Sequence, residues 1–90
     1  MMLQVYTLHD RVADTYLTPF YAANDADAQR MMRRELYNGQ SQLSMFSADY
    51  ALLLIGAFDD KTGTIRPREE PKSLGLLSAL MPQKVGDAGV

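Results

Sequence analysis

The hydrophobic pattern changes period along the chain: it alternates at the start, turns helical in the middle and becomes continuous across residues 50–58. Leu3-Gln4-Val5-Tyr6-Thr7-Leu8 has the two-residue period of a strand with one well-buried face. Leu3, Val5 and Thr7 fall on one side, and Gln4, Tyr6 and Leu8 on the other. Residues 9–14 are polar and turn-like. Residues 15–22 read as a second extended segment. Pro19 has no amide hydrogen to give a ladder, so that segment belongs at an edge or is irregular. The two segments are expected to form a hairpin.

Asn24-Asp25-Ala26-Asp27 is a helix start. Asn24 can accept from first-turn amides, and Asp25 and Asp27 complement the positive end of the helix dipole. Ala28, Met31, Met32 and Leu36 recur at helical spacing and should face a sheet. Gly39 is a natural stop. Residues 40–47 read as a polar loop anchored by Leu43, Met45 and Phe46. The run Tyr50-Ala51-Leu52-Leu53-Leu54-Ile55-Gly56-Ala57-Phe58 is apolar on both faces, as in a strand covered on both sides. Asp59-Asp60-Lys61-Thr62-Gly63 reads as a hairpin turn with positive φ at Gly63. Residues 64–66 begin a returning strand, which Pro67 is expected to stop. Residues 68–72 are charged and bounded by prolines, residues 74–81 suit a short helix or an extended docked segment, and residues 82–90 suit disorder.

These elements imply an α+β domain in ββαββ order: an antiparallel sheet of about four strands with one main helix on one face. The expected domain spans residues 1–66, with residues 67–90 as a C-terminal extension, partly docked or disordered. The strand at 50–58 should be central. Three candidates compete to cover its second face: the C-terminal leucines, the 40–47 loop, or a second copy of the chain. A chain of 90 residues hides only roughly 60–65% of its unfolded surface, which favours a homodimer.

Composition narrows the chemistry. With no cysteine, disulfides, thiolate metal sites and cysteine nucleophiles are excluded. The net charge is −2 and the pI about 5.1, so any nucleic-acid binding must come from a local patch. No segment reaches the roughly 18 apolar residues of a membrane span. The opening residues lack the basic start and apolar stretch of a signal peptide, giving the expectation of an intracellular protein. His9 is the one histidine, with Asp10 and Asp14 close in sequence; it reads as a solvated turn residue rather than a general base. Asp49, Asp59, Asp60 and Asp87 lack the spacing of a calcium loop. Asp60-Lys61-Thr62-Gly63-Thr64 lacks the glycines of a phosphate loop. No catalytic residue, metal ligand or cofactor is expected.

The arginines are the strongest candidate. Arg30 and Arg34 stand four apart on the helix, with Arg33 beside them. Together they form a local positive patch that can contact phosphates. Tyr37, and also Tyr6, Tyr16 and Tyr21, can offer stacking surfaces to bases. The competing reading is a solvated helix face, with Arg30 and Arg34 near Asp27 and Glu35. The candidate nucleic-acid-binding set is Arg30, Arg33, Arg34 and Tyr37.

Four motifs add a resemblance: Pro19-Phe20-Tyr21-Ala22, Ala28-Gln29-Arg30, Asp49-Tyr50-Ala51-Leu52, and Gly56-Ala57-Phe58-Asp59-Asp60-Lys61-Thr62-Gly63. In this order they resemble the small nonstructural protein of gokushovirus-type microviruses, phages with circular single-stranded DNA. The resemblance covers residues 3–66, and residues 71–90 depart from it. It implies a phage accessory protein of the bacterial cytoplasm that binds single-stranded DNA during replication, or that switches duplex replication toward single-strand production and packaging. The alternative is an adaptor that engages a phage or host replication protein, or a capsid protein, through the sheet edge or the C-terminal segment.

Overall fold

Two long antiparallel strands form the middle of the sheet. β1 (Met2–Asp10) pairs along its whole length with β4 (Tyr50–Asp59), and β4 pairs on its other side with β5 (Thr64–Leu76). The far side of β1 carries two short pieces, β2 (Thr15–Tyr16) and β3 (Phe20–Ala22). The structure, a computed structural model, describes residues 2–39 and 41–80. The expected ββαββ order is present, with the second strand split in two. The split sits at Pro19, where the register against β1 steps by one residue. Leu17 holds the step: its amide donates to the Leu8 carbonyl at 2.9 Å, and its carbonyl accepts from the Thr7 hydroxyl at 2.7 Å. His9 and Asp10 belong to β1 rather than to the turn that follows.

β5 overturns one expectation. The returning strand does not stop at Pro67 but continues to Leu76, so the expected domain boundary after residue 66 falls inside it. Pro67 lies opposite Gly56 and Lys72 opposite Leu54. Residues 68–71 therefore form an excursion facing the single residue Ile55. A proline is tolerated because β5 is an edge strand and has no outer neighbour to serve. Gly56 is needed at this crossing: a Cβ there would stand 2.7 Å from the Arg66 carbonyl oxygen. The turn before β5 is as expected, with the Gly63 amide donating to the Asp59 carbonyl at 2.8 Å and Gly63 at φ 71°. The Asp59 carboxylate accepts from the Lys61 amide at 2.9 Å, which lowers its pKa.

One face of the sheet carries the core. Tyr6 and Leu8 of β1, and Tyr50, Leu52 and Leu54 of β4, pack against Ala28, Met32 and Leu36 of the main helix α1 (Asp25–Asn38). Met31 is more exposed than expected. Residues 42–45 form a short helix, α2 (Gln42–Met45), in place of the expected loop. Only Leu43 anchors it to the core; Met45 and Phe46 are exposed. After β5 a 3₁₀ turn (Leu77–Leu80) returns Leu77 and Leu80 to the same core. The C-terminal leucines and the 42–45 helix therefore both cover the helix side of the sheet.

Among the described residues, no helix packs on the opposite face. Register puts Leu3, Val5, Thr7 and His9 of β1 there, beside Ala51, Leu53 and Phe58 of β4. Ile65, Ser73 and Leu76 follow from β5, and Tyr16 and Tyr21 from the split strand. β1 is thus buried on both faces in its middle, not on one as its alternation suggested. Tyr21 and Phe58 lie two strands apart, yet their ring centroids are 5.7 Å from each other. Strands stand about 4.8 Å apart, so the rings lean together diagonally over β1 from positions opposite Val5 and Leu3. The strand 50–58 is central as expected, but its second face is only half-covered.

Candidate nucleic-acid interface

Helix α1 is delimited by its own sequence. The Asn24 side chain accepts from the Asp27 amide at 2.8 Å, and Gly39, at φ 74°, closes the C-terminus through its amide to the Leu36 carbonyl at 3.1 Å. Between these caps the 3.6-residue period sorts the side chains. Ala28, Met32 and Leu36 define the buried arc. Arg30, Arg33, Arg34 and Tyr37, at i, i+3, i+4 and i+7, fall within about 100° of arc centred on the opposite side. All four are exposed, Tyr37 at 74%.

Charge is unevenly balanced along this stripe. Arg30 meets Asp27 at 3.3 Å, one turn back, in an exposed pair that leaves most of its guanidinium in solvent. Among the described residues, Arg33 and Arg34 have no ion-pair partner. Arg34, Glu35 and Met31 border an open, mainly apolar groove of about 650 Å³ that also touches Leu17, Phe20 and Leu43. The arrangement offers two free guanidinium forks, a third held loosely, and an exposed phenol ring beside them. That suits a phosphate backbone with adjacent bases.

The other sequence candidates are placed elsewhere. Tyr6 is fully buried and cannot stack on a base. Its hydroxyl donates to Asp25 Oδ1 at 2.7 Å, and Lys72 Nζ reaches Asp25 Oδ2 at 2.9 Å. The Tyr6 hydrogen bond, then Lys72, hold the Asp25 carboxylate below its ordinary pKa, and burial first, then Asp25, pushes the Tyr6 phenol up. Tyr16 stacks on His9 with ring centroids 4.5 Å apart, and His9 Nε2 lies 3.0 Å from Asp14 Oδ1. Tyr21 is on the far sheet face. Tyr37 is therefore the one expected stacking tyrosine brought together with the arginines. The Tyr6–Asp25–Lys72 network was not anticipated: its members are 19 and 47 residues apart, and a strand ended at Pro67 leaves Lys72 outside the sheet. Among the described residues, no group of three or more His, Asp or Glu side chains could hold a metal ion, and no helix is long and apolar enough to cross a membrane.

An α+β domain with a basic, aromatic-bearing helix stripe is the class that fold and surface define. The chain belongs to the family described as Phage ORF5 protein, matching it over residues 3–80. That span passes the earlier limit at residue 66, in keeping with Leu77 and Leu80 being core residues, so residues 71–80 are part of the family pattern rather than a departure from it. No curated protein and no solved structure matches the chain.

Proposed function

We propose that this phage protein binds single-stranded DNA without catalysis, in the host cytoplasm, during replication of a gokushovirus-type genome or the switch to single-strand production and packaging. The observation that carries this reading is the stripe: Arg30, Arg33, Arg34 and Tyr37 stand together directly opposite the buried face of α1, and two of the arginines have no ion-pair partner among the described residues. An acidic chain that keeps free guanidiniums on one arc has a local site for phosphates despite its net charge.

Fluorescence anisotropy with labelled single-stranded and duplex oligonucleotides across a salt series tests it. Binding should favour single strands and fall with salt by a log–log slope of about −0.7 per phosphate contact. Replacing Arg30, Arg33 and Arg34 together by Ala should weaken binding and flatten that slope by about 2. Unchanged affinity in the triple variant would remove the stripe as the site.

The adaptor is the second reading, favoured by the exposed Met45 and Phe46. Leu77 and Leu80 are engaged in the core, so it would act through other surfaces than the C-terminal leucines. Binding to a phage or host replication protein that survives the triple Arg variant and fails in Phe46→Ser would favour it.

A further inference from the structure

The half-covered, helix-free face that the described residues leave on the sheet differs from the rest of the surface in its charge. At 22% the chain as a whole is well supplied with charged residues. Yet none of the paired positions that register puts on this face is Asp, Glu, Lys or Arg. Large apolar groups remain accessible on it, with Ile65 at 53% and Tyr21 at 41% exposure. A nucleic acid is a poor occupant, because a strand-binding surface needs cations along the backbone path.

The sheet edges are poor docking sites as well. Pro67, Pro71 and the charged excursion between them guard β5, and Pro19 breaks the opposite edge. The chain's own C-terminus is also a weak candidate. It leaves the described fold at Leu80, on the helix side of the sheet. The ten residues that follow have only Met81, Val85 and Val90 as large apolar side chains.

We infer that this face is the contact between two copies of the chain, packed sheet against sheet about a two-fold axis. With no Asp, Glu, Lys or Arg at its paired positions, and the Asp14 carboxylate confined to the rim beside His9, the face can meet its own copy with little like-charge repulsion where residue i of one copy meets residue j of the other. The dimensions suit it. Four strand widths of about 4.8 Å by eight residues of about 3.3 Å give roughly 500 Å² in projection. Side-chain relief raises that toward the ~600–800 Å² per partner of a specific interface. The two-fold pair would be a four-layer sandwich with the helices outermost, and Tyr21, Phe58 and Ile65 of each copy would supply apolar area at the Leu3 end of the face.

Sedimentation equilibrium from micromolar to hundreds of micromolar protein tests this independently of DNA. The wild-type chain should approach twice the monomer mass. Ile65→Lys places a charge at one corner of the face in each copy and should weaken association by at least about tenfold, while circular dichroism shows the fold retained. Met45→Lys, on the helix side, should leave the mass unchanged. A wild-type monomer at every concentration overturns the inference, as does an Ile65→Lys variant that associates as tightly as wild type. Dimerisation that appears only on removal of residues 81–90 would overturn it in favour of the chain's own C-terminus. Loss of oligonucleotide binding in Ile65→Lys, with a monomeric wild type, would instead make the face a base-stacking surface.

Discussion

Asp25 shows how one carboxylate can tie three elements together. It lies in the first turn of α1, accepts from the buried Tyr6 hydroxyl of β1, and pairs with Lys72 of β5. As a folded-state pKa lowered from its ordinary value, it contributes stability that is present above about pH 4 and lost as pH falls through the lowered value. Asp25→Asn keeps an acceptor for Tyr6 but gives up the charge. At neutral pH it should unfold at lower urea, by about 1–2 kcal/mol for a charge-assisted hydrogen bond. The gap to wild type should close as both are titrated below pH 4. A gap that stays constant from pH 7 to pH 3 would mean that the charge at Asp25 does not matter. None of this was legible from the residues in order: Asp25 read as a dipole-complementing helix-start residue and Tyr6 as one more tyrosine. Their meeting depends on strands laid side by side, which local pattern does not encode.

Among the elements, those set by local chemistry were legible and those set by pairing were not. The Asn24 cap, the Gly39 stop and the 59–63 turn all follow from neighbours within four residues, and the structure has them where the sequence put them. The arginine stripe was legible for the same reason, since helical period alone brings i, i+3, i+4 and i+7 together. β5 was misread because Pro67 carries opposite meanings in a central and an edge strand, and only the partner strand decides between them. Truncation after Arg66 removes the Lys72–Leu76 pairing with β4 and two buried leucines, Leu77 and Leu80. Each buried leucine contributes about 1.5–3 kcal/mol, against a total stability of roughly 5–15 kcal/mol for a domain. The 1–66 fragment should therefore lose its cooperative urea transition. A sharp transition in that fragment would restore the boundary at residue 66.

For the whole molecule, the stripe and the helix-free sheet face lie on opposite sides of one thin domain, so a dimer through that face fixes where the two stripes stand. In a sheet-to-sheet dimer the arginine stripes point away from each other, on the order of 40 Å apart across two sheets and two helices. A short oligonucleotide can occupy one stripe only. A strand long enough to pass around the dimer can occupy both, and the second contact then forms at the effective concentration set by the intervening nucleotides. Affinity plotted against oligonucleotide length should therefore rise slowly, step upward by on the order of 10²-fold once the strand reaches the second stripe, and then flatten. The step belongs to the dimer and not to the stripe, so Ile65→Lys should keep the short-strand affinity and lose the step. The triple Arg variant should lose both. A smooth rise of equal size in wild type and Ile65→Lys would mean that longer strands gain only from more registers on a single stripe, and the sandwich would have no part in how DNA is held.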